Sequence, residues 1–126
     1  VIVVDRLDHL VLTVANIQST SDFYSRVLGM EIVEFDGRIA LKFGQQKINL
    51  HEQGRERAPH AAKATPGSAD ICLIVRTPLD ELERSLRESE IPIEVGPVGR
   101  TGASGEILSI YLRDPDGNLI ELSQYV

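Results

Sequence analysis

The chain has 126 residues, with 13 Lys and Arg against 19 Asp and Glu, three His and a formal charge of −6. That length suits one ordinary domain that can bury a core without staples, and the single cysteine, Cys72, rules out an internal disulfide. The acidic balance and the absence of Trp speak against a nucleic-acid surface, and no apolar run is long enough to span a membrane, so a soluble, cytoplasmic protein with neither nucleic-acid nor membrane partners is expected.

In chain order, Asp5 to Val14 is rich in alternating and β-branched apolar residues and reads as a strand. Asn16 is a good helix N-cap. Ile17, Thr20, Phe23, Tyr24 and Val27 then fall on one side of a helix over 17–28, which Gly29 stops in a left-handed turn. Glu31 to Phe35 reads as a strand, Asp36-Gly37 as a tight hairpin turn, Ile39 to Phe43 as the returning strand, and Lys47 to His51 as a fourth strand.

Residues 52–68 contain Gly, Pro and charges without a sustained period and read as a linker. Its basic residues Arg55, Arg57, His60 and Lys63 read as a solvated loop. Ala69 to Arg76 is an almost continuous apolar strand. Thr77 is then an N-cap with Pro78 at the first helical position and Asp80 at the third. Leu79, Leu82 and Leu86 make a helical stripe to about Ser89. Ile91 to Val98 is extended, with Pro92 and Pro97 marking an edge. Arg100-Thr101-Gly102-Ala103-Ser104-Gly105 reads as a mobile loop, with an anion or substrate contact through Arg100 as the alternative. Ile107 to Leu112 and Asn118 to Gln124 are strands joined by the Asp114-Pro115-Asp116-Gly117 turn.

The order β-α-β-β-β thus occurs twice. The expectation is one domain over 1–126, with a first module at 5–51, a linker at 52–68 and a second module at 69–126. The fold class is α+β: two βαβββ modules forming curved mixed sheets with a helix on each. A split β-α-β fold of another kind remains an alternative.

Superposing the two copies lays Asp8-His9-Leu10 over Ala69-Asp70-Ile71, and Lys47-Ile48-Asn49-Leu50-His51 over Leu119-Ile120-Glu121-Leu122-Ser123. His9, Asn49, Asp70 and Glu121 become equivalent positions, each polar in an apolar strand. A carboxylate in Leu119-Ile120-Glu121-Leu122 is costly to bury unless paired, hydrogen-bonded or bound to a metal. Strand alternation puts Glu121 with Leu119 and Ser123, His9 with Val11 and Thr13, and Asn49 with His51. An imidazole and carboxylate set of this kind suits a divalent first-row metal. The alternative is that each is simply hydrogen-bonded or faces water. Cys72, on an apolar strand, reads as core, and His60 as exposed. No Ser-His-Asp arrangement or phosphate-binding loop is present.

Asp8-His9-Leu10-Val11-Leu12-Thr13-Val14, Phe23-Tyr24-Ser25-Arg26-Val27-Leu28-Gly29-Met30 and Leu112-Arg113-Asp114-Pro115-Asp116-Gly117-Asn118-Leu119-Ile120-Glu121 together resemble the vicinal oxygen chelate superfamily. That group includes glyoxalase I, extradiol dioxygenases, and fosfomycin and bleomycin resistance proteins. The resemblance covers nearly the whole chain and implies a divalent metal (Ni, Co, Zn, Mn, Mg or Fe). Its ligands would be His9 on a first strand and Glu121 on a last strand. Asp70 stands where the family usually has a histidine, and Asn49 where glyoxalase-like members often have an acid; His51, on the face of Asn49, is a substitute ligand.

The resemblance further implies a homodimer with sites shared between subunits, His9 of one meeting Asp70 and Glu121 of the other. The activity it implies is a glyoxalase-type lyase or isomerase, with Glu121 as ligand and proton-transfer base on a small oxygenated substrate such as the methylglyoxal–thiol adduct. A binding or resistance protein without turnover, and an extradiol-type ring-cleaving dioxygenase, are the alternatives. One His with two carboxylates departs from the two-His, one-carboxylate iron pattern and weakens the dioxygenase reading.

Overall fold

The computed structural model describes residues 1–126 and divides into two compact units, Val1–Pro66 and Gly67–Val126. The first unit runs β1 (His9–Val14), α1 (Ile17–Arg26), β2 (Glu31–Phe35), β3 (Arg38–Phe43) and β4 (Gln46–Glu52). Its open sheet has the order β1-β4-β3-β2, with β1 parallel to β4 and the other neighbours antiparallel.

Local chemistry accounts for these elements. The Asn16 side chain accepts from the Ser19 N–H at 2.8 Å, capping α1. Gly29, at φ 67°, releases the chain after the helix. Asp36 and Gly37, at φ 48° and 70°, form the left-handed pair that a two-residue hairpin demands. Leu12, Val14, Leu41, Ile48 and Leu50 are buried along with Tyr24 of α1 and Met30. In the parallel register His9 lies opposite Lys47, Val11 opposite Asn49 and Thr13 opposite His51. The polar residues therefore share the sheet face opposite that core.

The second unit repeats the pattern with β5 (Asp70–Ile74), α2 (Leu79–Glu88), β6 (Val95–Gly102), β7 (Gly105–Arg113) and β8 (Leu119–Tyr125). Its open sheet is ordered β5-β8-β7-β6, again with a single parallel pair, β5 and β8. Ile110, Leu112, Ile120 and Leu122 are fully buried, and α2 buries Leu82 and Leu86. The expected two βαβββ modules, each a mixed sheet with a helix, are therefore what forms. Pro97 sits on the edge strand β6, where the pairing with β7 shifts register between Val95 and Val98; at an edge its missing N–H removes no interior ladder bond.

Four local expectations are corrected. Strand β1 begins at His9, not Asp5, because its partner β4 begins only at Gln46 and offers residues 5–7 no backbone ladder, only the Gln46 side chain on the Leu7 carbonyl at 3.1 Å. Pro78, not Thr77, is the N-cap of α2. With ψ at 145° it stays outside the helix, and its carbonyl accepts the first helical bond from Leu82 N–H at 2.9 Å. The extended run expected from Ile91 becomes a paired strand only at Val95. Residues 100–105 are not a loop: Arg100 pairs with Ile107, Thr101 with Glu106 and Gly102 with Gly105, leaving Ala103 and Ser104 as a two-residue turn. The Ser104 N–H donates to the Tyr125 hydroxyl at 3.1 Å, and Gly105 takes φ 143°, which together close that hairpin.

Candidate functional site

On the first sheet, His9 opens β1 and is exposed. Its Nδ1 lies 2.8 Å from Asp8 Oδ2. This hydrogen bond, above all, holds the Asp8 carboxyl below its usual range. A carboxylate on one ring nitrogen orients the imidazole and leaves Nε2 for a ligand. Two strand positions along the same face, Asn49 Oδ1 and His51 Nδ1 are buried without a hydrogen-bond partner. Buried polar atoms are rarely left so; each is a donor atom that a ligand or ion would satisfy. Burial, and next the Arg38 guanidinium, push the His51 imidazole down, toward the neutral form that coordinates metal.

On the second sheet, the parallel register sets Asp70 opposite Leu119 and Cys72 opposite Glu121. Asp70 is exposed at the start of β5, and Glu121 is half-buried on β8. Glu121 Oε2 accepts from the Ser109 hydroxyl at 2.6 Å and lies 3.4 Å from the Ser123 hydroxyl. Both contacts fall on Oε2, and the Cys72 thiol is a further hydrogen-bonding neighbour of the carboxylate. Arg100 Nε donates to the Tyr111 hydroxyl at 3.1 Å, and the guanidinium lies 5.4 Å from the Tyr111 ring centroid. Tyr111 is the cross-strand partner of Glu121, so Arg100 is anchored on the same face as the carboxylate.

Cys72 is not core. Its residue is exposed, because it shares the face of Asp70 and Ile74 rather than that of Ile71 and Leu73. Partial desolvation is the main cause that pushes its thiol up, and the nearby Glu121 charge adds to it. His60 is exposed in the linker, as expected.

The candidate residues thus form two groups: His9, Asn49 and His51 on one face of the first sheet, and Asp70, Glu121 and Arg100 on one face of the second. Within neither unit do three His, Cys, Asp or Glu side chains gather. Imidazole nitrogen, amide oxygen and carboxylate are nevertheless the mixed donors that suit a divalent first-row metal, and the unpartnered Asn49 and His51 atoms fit such a group. Sequence reasoning did not assign Ser109, Ser123 and Tyr111 to the site. For Ser109 and Tyr111 the signal was alternation in Ser109-Ile110-Tyr111-Leu112, which puts both polar side chains opposite two fully buried apolar ones; Ser123 was already legible on the face of Glu121.

Two βαβββ units, each an open mixed sheet with one helix and one polar-lined face, define the paired-module, glyoxalase-like α+β fold. The chain belongs to the Glyoxalase/Bleomycin resistance protein/Dioxygenase superfamily, whose model matches residues 6–122. It is 57% identical over 125 residues to a virulence protein of Salmonella typhimurium, covering 98% of this chain and 87% of that one. The crystal structure of that protein superposes with a TM-score of 0.98 at 56% identity, covering 99% and 100% of the two chains. A glyoxalase domain-containing protein of Mycosarcoma maydis is 53% identical over 120 residues, 94% of this chain and 68% of its own length. The structure of a lactoylglutathione lyase from Agrobacterium tumefaciens matches with a TM-score of 0.72 at 25% identity, covering 94% and 92%. Superfamily members commonly use divalent metals. No helix here is long and apolar enough to cross a membrane.

Proposed function

We propose that the protein is a metal-dependent lyase or isomerase of the glyoxalase type, acting on a small substrate with two adjacent oxygens; the adduct of methylglyoxal with a thiol is the favoured case. The observation that carries this reading is Glu121: a half-buried carboxylate set between the buried Ile120 and Leu122 of β8 and held through Oε2 by the Ser109 hydroxyl. The likeness to a lactoylglutathione lyase supports it.

The residues present would hold the metal through His9, Asp70 and Glu121, with His51 and Asn49 as further donors. A divalent ion held there would supply Lewis-acid stabilisation of negative charge on the substrate oxygens. Glu121 would take a proton from one substrate carbon and return it to the next, as a positioned carboxylate can. Asp8 keeps the His9 ring in one orientation. Arg100, braced on Tyr111, orients an anionic part of the substrate on the same face. Because ligand side chains are divided between the two units, we further propose a homodimer in which His9 of one subunit serves with Asp70 and Glu121 of the other.

Protein purified without chelators or affinity tags should contain about one divalent ion per site, turn over methylglyoxal with a thiol, and lose turnover with E121Q while keeping its fold. A metal-free dimer indifferent to added ions would overturn the reading in favour of small-molecule binding without turnover. Oxygen uptake with a catechol would overturn it in favour of ring cleavage. Monomeric mass with full metal-dependent activity would overturn the shared-site dimer.

A further inference from the structure

Behind Glu121 lie two serines that the proposed chemistry does not use. Ser109 on β7 and Ser123 on β8 are cross-strand partners, and both are 0% exposed. Their hydroxyl oxygens are 2.7 Å apart, and Cys72 Sγ lies 3.3 Å from Ser123 Oγ. Each group has one proton to give, and an ionised carboxylate only accepts. With Glu121 ionised, that count fixes the direction of the two short bonds. The 2.6 Å contact to Glu121 Oε2 must use the Ser109 proton. Ser109 Oγ must then accept from Ser123, while the Cys72 thiol neighbours both Ser123 and Glu121. The 3.4 Å approach of Ser123 to Glu121 is left without a proton of its own. Both hydroxyls are sealed from solvent.

We infer that Ser109 is the positioning residue for Glu121: the last member of a donor chain from Ser123 to Ser109, it holds Oε2 and so fixes the orientation in which the carboxylate meets a divalent cation. The inference rests on the reading of Glu121 as a metal ligand and adds the residue that sets its geometry. A bond of 2.6 Å to a charged acceptor is short and strong. Outer partners of this kind orient a ligating group, and their loss typically weakens metal binding ten- to a hundredfold. Ser123 acts through Ser109, so removing it leaves the bond to Glu121 in place.

The test is titration of nickel(II), manganese(II) and zinc(II), each alone, into metal-free wild type, E121Q, S109A, S123A and S109T, with Tm recorded for each. For the ion that wild type binds, S109A should weaken affinity about tenfold or more. S123A should weaken it clearly less, and S109T, which keeps the hydroxyl, should restore it. If S109T proves too large for the sealed site and its Tm falls, the contrast between S109A and S123A decides alone. Affinity lost in E121Q but unchanged in S109A would overturn the role of Ser109 while leaving the Glu121 reading intact. Equal losses in S109A and S123A would also overturn it. Unchanged affinity in E121Q, or no binding of any of the three ions by wild type, would overturn the Glu121 reading and this inference with it.

Discussion

Asp114 and Asn118 close the β7–β8 turn on each other: Asn118 Nδ2 donates to Asp114 Oδ2 at 2.8 Å, with both residues buried. Asp114 Oδ1 also accepts the N–H groups of Asp116 and Asn118, each at 2.9 Å. Asn118 Oδ1 accepts the Ala69 N–H at 2.9 Å, which ties the start of β5 to the start of β8. The pair therefore sets the register that brings Cys72 opposite Glu121, three residues beyond the turn. Asp114→Ala strands several donors at once and should cost about 1.5–3 kcal/mol, the range for a bond to a charged group. Urea unfolding measures this, and a midpoint equal to wild type would show the turn to be dispensable.

Gly96 marks a close approach of backbone to backbone. Its φ is 110°, and a Cβ placed there would stand 2.3 Å from the Ser109 carbonyl oxygen. No side chain can yield, so Gly96→Ala should destabilise by more than about 1 kcal/mol. Gly99, three residues along the same edge strand, has nothing within 4 Å of its would-be Cβ. Gly99→Ala should stay within about 0.5 kcal/mol of wild type. Thermal unfolding of the two variants side by side checks the contrast; equal Tm values would contradict it.

Arg100 is held by Tyr111 through a hydrogen bond and ring contact, on the face of Glu121. If it orients substrate without touching the reacting carbons, R100M should raise KM about tenfold with kcat little changed, the pattern of lost uniform binding. Tyr111→Phe keeps the ring and loses only the hydroxyl brace, so its KM should rise less. A fall in kcat with KM unchanged in R100M would place the guanidinium in the transition state instead.

His51 gives a pH dependence. Burial above all, then Arg38, His60 and Arg57, depress its pKa below the ordinary 6.5, while Glu56 works the other way. The folded state thus disfavours the imidazolium relative to the unfolded chain. Stability linked to this group is complete above about pH 6.5 and declines as pH falls toward the folded value. In a proton NMR titration the His51 ring should still be mostly neutral at pH 6.5. His51→Gln should lose less Tm than wild type between pH 7.5 and 5.5. A His51 titration at or above 6.5 would contradict both.

What the sequence determined by itself was the repeat and its faces. Period-two alternation is a local property, so the strands around His9, Asn49, Asp70 and Glu121, and the company each keeps on its face, followed from spacing alone; so did the Asn16 cap and the Asp36-Gly37 hairpin. Strand limits were less legible because a strand lasts only as long as its neighbour, which is why residues 5–8 fell outside β1 and Arg100 to Gly102 fell inside β6. Only the tertiary structure decided what surrounds each polar group. It exposed Cys72, which an apolar strand had marked as core, and put Ser109 from another strand against Glu121. It also showed that Asn118 serves as a cross-strand tie as well as a turn residue. Cross-strand partners are set by register between segments distant in sequence, and no local pattern encodes which hydroxyl will meet which carboxylate.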